Sequence, residues 1–395
     1  MTLEEMDKEY VLQTYARNYV NFKSGQNATL FDDSGRDFID FTSGIGVVSV
    51  GHANLRVAEA IYDQVSHLTH TSNLFLIEPQ AKLAKKIVEL SGFDMAVFFG
   101  NSGAEANEGA IKIARKYGQN RFKNKRYKVL TLEHSFHGRT ITTVKATGQQ
   151  SFHQEAFSPY PDGFEYKSEI KDIYAAIDDE TVGVMIELIQ GEGGVQAFDK
   201  KEIQELAPFL RKNDLLFIID EVQTGVFRSG EFLATQLYDI EPDIITLAKG
   251  LAGGVPIGAV MTKHKDIFKP GDHGSTFGGN FLSTRAGLEV LDILESYEEQ
   301  GLLEEAINYF DEKLKSAVEK HPDIFTATTG IGLMRGIQCK EGDTVQKVIK
   351  ASFEEGVLVL KAGRNTIRFL PPLTITKNEI NEGFVRFERA LDRLK

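Results

Sequence analysis

The chain has 395 residues, of which 42% are hydrophobic and 26% are charged, a composition typical of a globular protein with more than one folded unit. Its formal net charge of −12 argues against a general affinity for nucleic acid or anionic membranes. Cys339 is the single cysteine, so no intramolecular disulfide is possible, and neither a signal peptide nor a membrane-spanning apolar run is found. These features predict a cytoplasmic protein with no nucleic-acid or membrane partner.

The first 50 residues contain a strand pattern at 28–41, and we expect this segment to pack with the C-terminal end of the chain. From 51 to 282, short apolar runs alternate with helical patterns. Such alternation is typical of a mostly parallel sheet covered by helices, with its ligand site at the carboxyl ends of the strands. The predicted strands are 95–99, 127–132, 182–189, 215–220 and 243–248, and the predicted helices are 104–117, 168–177 and 200–212.

The last part of the chain, 283–395, predicts a smaller α+β unit. Long amphipathic helices are predicted at 283–320 and 375–394, and between them lie short strands at 333–339, 357–362 and 366–370. We therefore expect an α/β protein with a large domain at 51–282 and a small domain at 283–395, to which the segment 1–50 is added.

The strand at 95–99 runs into a turn, Gly-Asn-Ser-Gly-Ala, that opens a helix. A helix N-terminus offers free backbone N–H groups and a partial positive charge, and the small Gly103 and Ala104 let an anion approach closely. Two alternatives remain at this point. Ser102 could be a plain helix cap, or it could be a serine nucleophile, since the turn nearly fits G-x-S-x-G and is followed by Asp220 and by His264 or His273.

Two further strands end in charged residues. The strand 215–220 ends in Asp220-Glu221 like a Walker B segment, but the dipeptide Gly-Lys of a P-loop is missing from the sequence, which excludes an ATPase of that type. The strand 243–248 leads into Lys249 and a glycine-rich turn. Taken alone, Lys249 is either a lysine whose amine reaches solvent or a lysine that forms a Schiff base.

Together, the three strand ends fit one cofactor. Pyridoxal phosphate requires an anion cradle, a carboxylate at its pyridinium nitrogen and a lysine for its aldehyde, and these match Ser102–Ala104, Asp220 and Lys249. The stretches IIDEVQTGVFRSG and PDIITLAKGLAGGVPIGA resemble the signature of the class III, pyridoxal-phosphate-dependent aminotransferases. FFGNSGAEANEGAIKIAR, HSFHGRT, IQGEGGV and GSTFGGN resemble other blocks of that family, in its order, and the resemblance covers nearly the whole chain.

This resemblance implies a fold type I homodimer with the active site at the dimer interface. It implies that Lys249 binds the cofactor covalently and then transfers the proton, and that Asp220 pairs with the pyridinium nitrogen. The remaining cofactor contacts implied are Gln223 at the ring hydroxyl, Val222 and Phe136 on the two ring faces, and Ser102, Gly103, Ala104 and the partner subunit's Thr276 at the phosphate end. Ala104 departs from the family, which often has threonine there, so a phosphate contact through a hydroxyl is missing.

The resemblance also implies which residues recognise substrates, since a bidentate guanidinium suits a carboxylate. Arg139 would hold the carboxylate of the amino donor, and Arg368 the α-carboxylate of glutamate or 2-oxoglutarate. Glu192 would pair with Arg368 when the donor is bound, and Ser275 would come from the partner subunit. His134 and His137 in HSFH lack a third ligand, so we predict no metal site.

Within the family, the sequence is most similar to the acetylornithine aminotransferases. Ornithine aminotransferases usually carry a tyrosine where this chain has Ile45, which favours a donor whose α-amino group is acylated or absent. The implied reaction moves the δ-amino group of N2-acetylornithine to 2-oxoglutarate, giving N-acetylglutamate 5-semialdehyde and glutamate in arginine biosynthesis. The alternatives are succinylornithine, succinyl-diaminopimelate, ornithine or 4-aminobutyrate as donor, a serine hydrolase using Ser102, and a pyridoxal-binding protein without catalysis.

Overall fold

The structure is a computed structural model and describes residues 1–394. The α-helices are α1 Leu3–Tyr10, α2 Ser43–Gly46, α3 Leu55–His67, α4 Glu78–Ser91, α5 Gly103–Phe122, α6 Ile141–Ala146, α7 Ile170–Ala176, α8 Lys200–Lys212, α9 Ala234–Leu237, α10 Phe281–Glu299, α11 Leu302–Lys320, α12 Gly342–Glu354 and α13 Lys377–Asp392. Short 3-10 helices span Gln150–Phe152, Glu155–Phe157 and Lys249–Ala252. The strands are β1 Phe22–Gln26, β2 Thr29–Asp32, β3 Asp37–Asp40, β4 Ala96–Gly100, β5 Lys128–Leu132, β6 Phe164–Lys167, β7 Thr181–Ile186, β8 Ile189–Gln190, β9 Gln196–Ala197, β10 Leu216–Asp220, β11 Ile244–Leu247, β12 Gly258–Thr262, β13 Phe325–Ile331, β14 Met334–Cys339, β15 Val357–Leu358, β16 Leu360–Ala362 and β17 Thr366–Phe369.

A seven-stranded sheet with the order β4-β12-β11-β10-β7-β5-β6 forms the centre of the molecule. Its neighbouring strands pair in parallel except at β12, which is antiparallel to both β11 and β4. The sheet is buried on both faces: Leu216 and Ile218 pack with α5, whereas Phe217 and Ile219 pack with α7 and α8. This double burial explains why these strands are continuous apolar runs. The predicted α/β fold, with a mostly parallel sheet covered by helices, is confirmed.

Two helix ends differ from the prediction, and both differences involve a glycine. Helix α5 does not stop at Gly118 but continues to Phe122. Gly118 is buried, and a Cβ on it would lie 1.8 Å from the carbonyl oxygen of Arg126, so this glycine serves close packing rather than termination. The predicted single helix 283–320 is in fact two helices, because Gly301 adopts a left-handed φ of 72° between α10 and α11.

Two further four-stranded sheets are built from strands of the N-terminal and C-terminal regions. One has the order β13-β14-β17-β16, and the other, β1-β2-β3-β15, joins the N-terminal region to the C-terminal region through the parallel pairs Ile39–Val357 and Asp40–Leu358. The boundaries of the domains at 50 and 282 stay a prediction. Within residues 1–394, no helix combines the length and the apolar character that crossing a membrane requires.

The topology brings three strand ends to one edge of the central sheet. Strands β4, β10 and β11 run in the same direction and end at Gly100, Asp220 and Leu247. Because the carboxyl ends of parallel strands meet at one edge, the turns that follow them lie side by side.

Candidate active site

A cavity of about 410 Å³ lies at this edge of the sheet, a volume suited to a small ligand. It brings together nine of the residues that the sequence singles out. They are Ser102, Gly103, Ala104, Phe136, Arg139, Asp220, Val222, Gln223 and Lys249.

The N-terminus of α5 forms one wall of this cavity. Ser102 is the N-cap, with its side chain accepting a hydrogen bond from the backbone N–H of Glu105 at 3.2 Å. The N–H groups of Gly103 and Ala104, in the first turn of the helix, donate to no acceptor within the described chain. A Cβ on Gly103 would lie 2.7 Å from Cγ1 of Val222, so glycine is required for this close approach. The wall therefore offers free donors to an anion.

The same geometry excludes the serine hydrolase. Ser102 has an extended backbone, φ −155° and ψ 164°, instead of the strained turn of a nucleophile elbow. His264 and His273 line two other surface cavities, and Asp220 pairs with a different histidine, His137. Within residues 1–394, Ser102 Oγ hydrogen-bonds to no histidine, so the base of a serine nucleophile is not paired with it.

Asp220 is buried, and several groups hydrogen-bond to its carboxylate, including Thr246 Oγ1, which donates a long hydrogen bond of 3.4 Å to Oδ1. Its Oδ2 accepts a hydrogen bond from Asn107 Nδ2 at 2.7 Å and lies 2.8 Å from Nδ1 of His137, and its Oδ1 accepts from the backbone N–H of Val222 at 3.0 Å. These contacts fix the orientation of the carboxylate at the cavity wall. Sequence reasoning missed the roles of both Asn107 and His137. The HSFH motif has the appearance of an incomplete metal site in the sequence, whereas in the structure its second histidine positions a carboxylate.

Lys249 lies at the start of the turn that follows β11. Its backbone φ of 40° is in the left-handed region, an uncommon and strained conformation for a residue with a side chain. Within residues 1–394 its amine forms neither an ion pair nor a hydrogen bond. Burial lowers the pKa of this amine, although the carboxylates of Glu192, Asp220 and Glu187 act in the opposite direction. A lysine with a lowered pKa is a better nucleophile toward a carbonyl group.

Glu187, another residue that the sequence analysis missed, ties two loops of the site together. It is buried in the cavity wall and accepts hydrogen bonds from the backbone N–H groups of Phe136 at 2.8 Å and Gly191 at 3.2 Å. Burial raises the pKa of Glu187 to about 7; Asp220 adds to this rise, whereas His137 opposes it.

We expect the Glu187→Gln apoprotein to gain stability relative to the wild type as the pH rises from 4.5 to about 7, the window of the pKa shift. Because the folded pKa is raised, ionisation of Glu187 at the higher pH opposes folding, and glutamine cannot ionise. Thermal denaturation across this pH range measures the difference. The exposed Glu205→Gln on α8 is the matched control, and a constant difference between Glu187→Gln and the wild type contradicts the prediction.

Arg368 and Glu192 form an ion pair beside the cavity. Arg368 Nη1 lies 2.7 Å from Glu192 Oε1 and donates a hydrogen bond to Gln223 Oε1 at 3.1 Å. A Cβ on Gly191 would lie 2.2 Å from that same oxygen of Gln223, so only glycine can pack against Gln223 at position 191. The guanidinium is thus held at the cavity by a carboxylate on a flexible side chain. If Glu192 moved away, the cation would be free for a substrate carboxylate.

Arg139 lies exposed at the mouth of the cavity. Its guanidinium carbon is 3.9 Å from the centre of the Phe152 ring and 5.6 Å from that of Phe136. Within the described part of the chain, Arg139 has no carboxylate partner. Its charge is therefore available to an anionic group that enters the cavity.

Ser275 and Thr276 lie outside the cavity of their own chain. They line a neighbouring cavity of about 700 Å³, and Ser275 Oγ accepts a hydrogen bond from Asn101 Nδ2 at 3.1 Å. Asn101 also lines the main cavity, so the two spaces adjoin.

The loop of α2 connects the site with the N-terminal region. Its residues Ser43, Gly44, Ile45 and Gly46 have φ values of 42°, 63°, 68° and 75°, a left-handed turn that is strained for the β-branched Ile45. Hydrogen bonds hold it in place: Ser43 Oγ donates to the carbonyl of Leu370 at 2.6 Å, beyond the end of β17. The turn is therefore fixed next to the strand that carries Arg368.

Comparison with known proteins agrees with this geometry. The family model of the class-III aminotransferases matches residues 12–391. The chain belongs to the class III aminotransferases. An acetylornithine aminotransferase of Wolinella succinogenes is 58% identical over 389 residues, which cover 98% of this chain and 99% of that protein.

Solved structures of two relatives are similar to this aminotransferase over their whole length. The ornithine aminotransferase of Toxoplasma gondii has a TM-score of 0.93 and 30% identity, covering 100% of this chain and 96% of that one. The N-acetylornithine aminotransferase of Stenotrophomonas maltophilia has a TM-score of 0.83 and 31% identity, with 99% of each chain covered. A second structure of the Toxoplasma enzyme has pyridoxal phosphate at its active site in partial occupancy.

This aminotransferase depends on pyridoxal phosphate, as its family does. The residues present fit the cofactor. The free N–H groups of Gly103 and Ala104, the oriented carboxylate of Asp220 and the unpaired amine of Lys249 line one cavity. When bound, the cofactor supplies an electron sink for the carbon that loses a proton.

Proposed function

We propose that the enzyme transfers the δ-amino group of N2-acetylornithine to 2-oxoglutarate, giving N-acetylglutamate 5-semialdehyde and glutamate in arginine biosynthesis. The observation that carries this proposal is the pair of arginines at one cavity, one held by Glu192 and the other, Arg139, without a carboxylate partner in the described chain. The 58% identity to the Wolinella acetylornithine aminotransferase over nearly the whole chain supports the same substrate.

The donor's carboxylate would bind Arg139, which leaves its δ-amino group to reach Lys249 deeper in the cavity. Glu192 neutralises Arg368 at the same time, so the donor needs no second carboxylate to pair with that arginine. Ile45 offers no polar group to a free α-amino group, which supports an acylated donor. Glutamate and 2-oxoglutarate would instead displace Glu192 and bind Arg368 through their α-carboxylate. One site thus serves two substrates in alternation.

The remaining residues would bind the cofactor, and Lys249 would also transfer the proton. Lys249 Nζ would attach the cofactor and afterwards accept the substrate proton and return it at the neighbouring carbon. Asp220 would keep the ring nitrogen protonated, because a buried carboxylate favours a cation beside it. Val222 and Phe136 would enclose the ring, and Gln223 would bind its hydroxyl. Ser102, Gly103 and Ala104 would hold the phosphate.

We also propose that the active enzyme is a homodimer with the active site at its interface, to which the partner subunit's Thr276 contributes a phosphate contact and the partner subunit's Ser275 a neighbouring one. Leu74, Phe75, Leu76 and Phe277 support this, since these large apolar side chains are exposed near the 275–276 segment. Such clustering marks a protein interface. We further propose a reducing, cytoplasmic location, since the single cysteine, Cys339, allows no intramolecular disulfide.

A panel of amino donors with 2-oxoglutarate tests the proposed substrate. We expect the highest kcat/KM with N2-acetylornithine, and lower values with N2-succinylornithine, succinyl-diaminopimelate, ornithine and 4-aminobutyrate. Arg139→Lys should raise the KM for acetylornithine by roughly tenfold, the loss of one bidentate contact, and leave that for glutamate unchanged. Higher kcat/KM with free ornithine or with 4-aminobutyrate would overturn the substrate. Glutamate bleaching the cofactor's visible band distinguishes catalysis from mere pyridoxal binding.

A further inference from the structure

Phe152, on the short 3-10 helix Gln150–Phe152, lies against Arg139 at the mouth of the active site. The guanidinium carbon of Arg139 is 3.9 Å from the centre of the Phe152 ring, closer than to the ring of Phe136. The two rings meet edge to face, with centroids 5.8 Å apart and planes at 77°. Arg139 therefore lies on an aromatic corner, in a contact that attracts a cation electrostatically.

Hydrogen bonds of the backbone fix the position of the two rings. The loop before Phe152 is fixed to the strand end that precedes Phe136: the N–H of His134 donates to the carbonyl of Gly148 at 2.9 Å, and the N–H of Gly148 donates to Ser135 Oγ at 2.9 Å. A Cβ on Gly148 would lie 1.9 Å from the carbonyl oxygen of Leu132, so only glycine lets the loop approach the strand end this closely. The same segment thus positions both rings, and through them the guanidinium.

We propose that Phe152 is a positioning residue for the amino donor: its ring holds the Arg139 guanidinium over an apolar surface, ready for the donor's carboxylate. The inference rests on the proposed function, in which Arg139 binds that carboxylate. An exposed arginine without such support samples many rotamers, and binding an anion then costs the entropy of ordering it. The ring reduces this cost, and it also keeps water from one face of the cation, which strengthens its attraction to an anion.

The experiment compares Phe152→Leu with Phe152→Tyr, which keeps the ring, and with Phe157→Leu, a matched control at an exposed phenylalanine on the same loop. We expect Phe152→Leu to raise the KM for N2-acetylornithine roughly twofold to fivefold, the range of one cation–π contact at an exposed site. The KM for glutamate, which binds at Arg368, should stay at the wild-type value and shows that the variant is folded. Phe152→Tyr and Phe157→Leu should resemble the wild type in both half-reactions.

A binding measurement accompanies the kinetics. N2-acetylnorvaline, which has the donor's carboxylate but no δ-amino group, is titrated calorimetrically; its Kd should weaken in Phe152→Leu by the same factor as the KM. The inference is overturned if Phe152→Leu binds the analogue with the wild-type Kd while Arg139→Lys binds it more weakly. If Arg139→Lys also binds it as the wild type does, the proposed role of Arg139 fails together with the inference. Equal weakening in Phe152→Leu and Phe157→Leu indicates a general loop effect and also overturns it.

Discussion

The Lys249→Ala variant is expected to transaminate roughly 10²- to 10⁴-fold more slowly than the wild type, the range that a positioned general acid–base group contributes. The physical reason lies in the amine: it has no ion pair or hydrogen bond within residues 1–394, and burial lowers its pKa, so it can accept and return a proton at the substrate. Single-turnover reaction of the enzyme with N2-acetylornithine measures the loss.

Two matched variants make this result specific to the chemistry of Lys249. Lys249→Arg keeps a cation at the site but remains protonated, so it should be as inactive as the alanine variant. Lys263→Ala removes the next lysine along the chain, which pairs with Asp243 outside the cavity, and should leave the rate unchanged. A Lys249→Arg enzyme with activity near the wild-type level would contradict the role given to the amine.

Asp220→Asn is expected to lower the single-turnover rate by about 10²-fold, since breaking a buried charge pair costs about 3 kcal/mol and each 1.4 kcal/mol is a factor of ten. The amide keeps the size of the side chain but loses the negative charge that we propose faces the ring nitrogen. It also places an uncharged group against Nδ1 of His137, 2.8 Å away.

The control for Asp220 keeps its charge and removes only one of its supports. Asn107→Ala deletes the hydrogen bond that Asn107 Nδ2 donates to Asp220 Oδ2, so we expect a clearly smaller loss than with Asp220→Asn. The visible band of the bound cofactor, followed with pH, reports the protonation of the ring nitrogen in each variant. Equal rates for the two variants, or an unshifted spectrum in Asp220→Asn, would show that the charge does not act on the cofactor.

The parts of the site that could be predicted are those encoded locally in the sequence. Asp220 ends an apolar strand, Lys249 and Gly103 follow closely after one, and parallel strands bring their carboxyl ends together. The helix α8 is found at the predicted residues 200–212 because its apolar stripe and its cap at Asp199 are both local signals.

The parts that escaped prediction depend on distant neighbours. His137 and Asp220 are 83 positions apart in sequence, and the role of Glu187 appears only when two backbone N–H groups meet its carboxylate. The antiparallel β12 escaped prediction as a strand, because its five residues, GAVMT, include glycine and threonine and form no long apolar run. The domain boundaries and the contributions of Ser275 and Thr276 stay predictions, since the latter require a second copy of the chain.

We propose that Lys249 holds pyridoxal phosphate in the cavity formed with Asp220 and the N-terminus of α5. Borohydride treatment of the cofactor-loaded enzyme reduces the link between lysine and aldehyde, and peptide mass spectrometry then locates the pyridoxyl group. We expect one labelled residue, Lys249, and no label after addition of excess acetylornithine. A pyridoxyl group on any other lysine of the wild-type enzyme, or none at all, would contradict it.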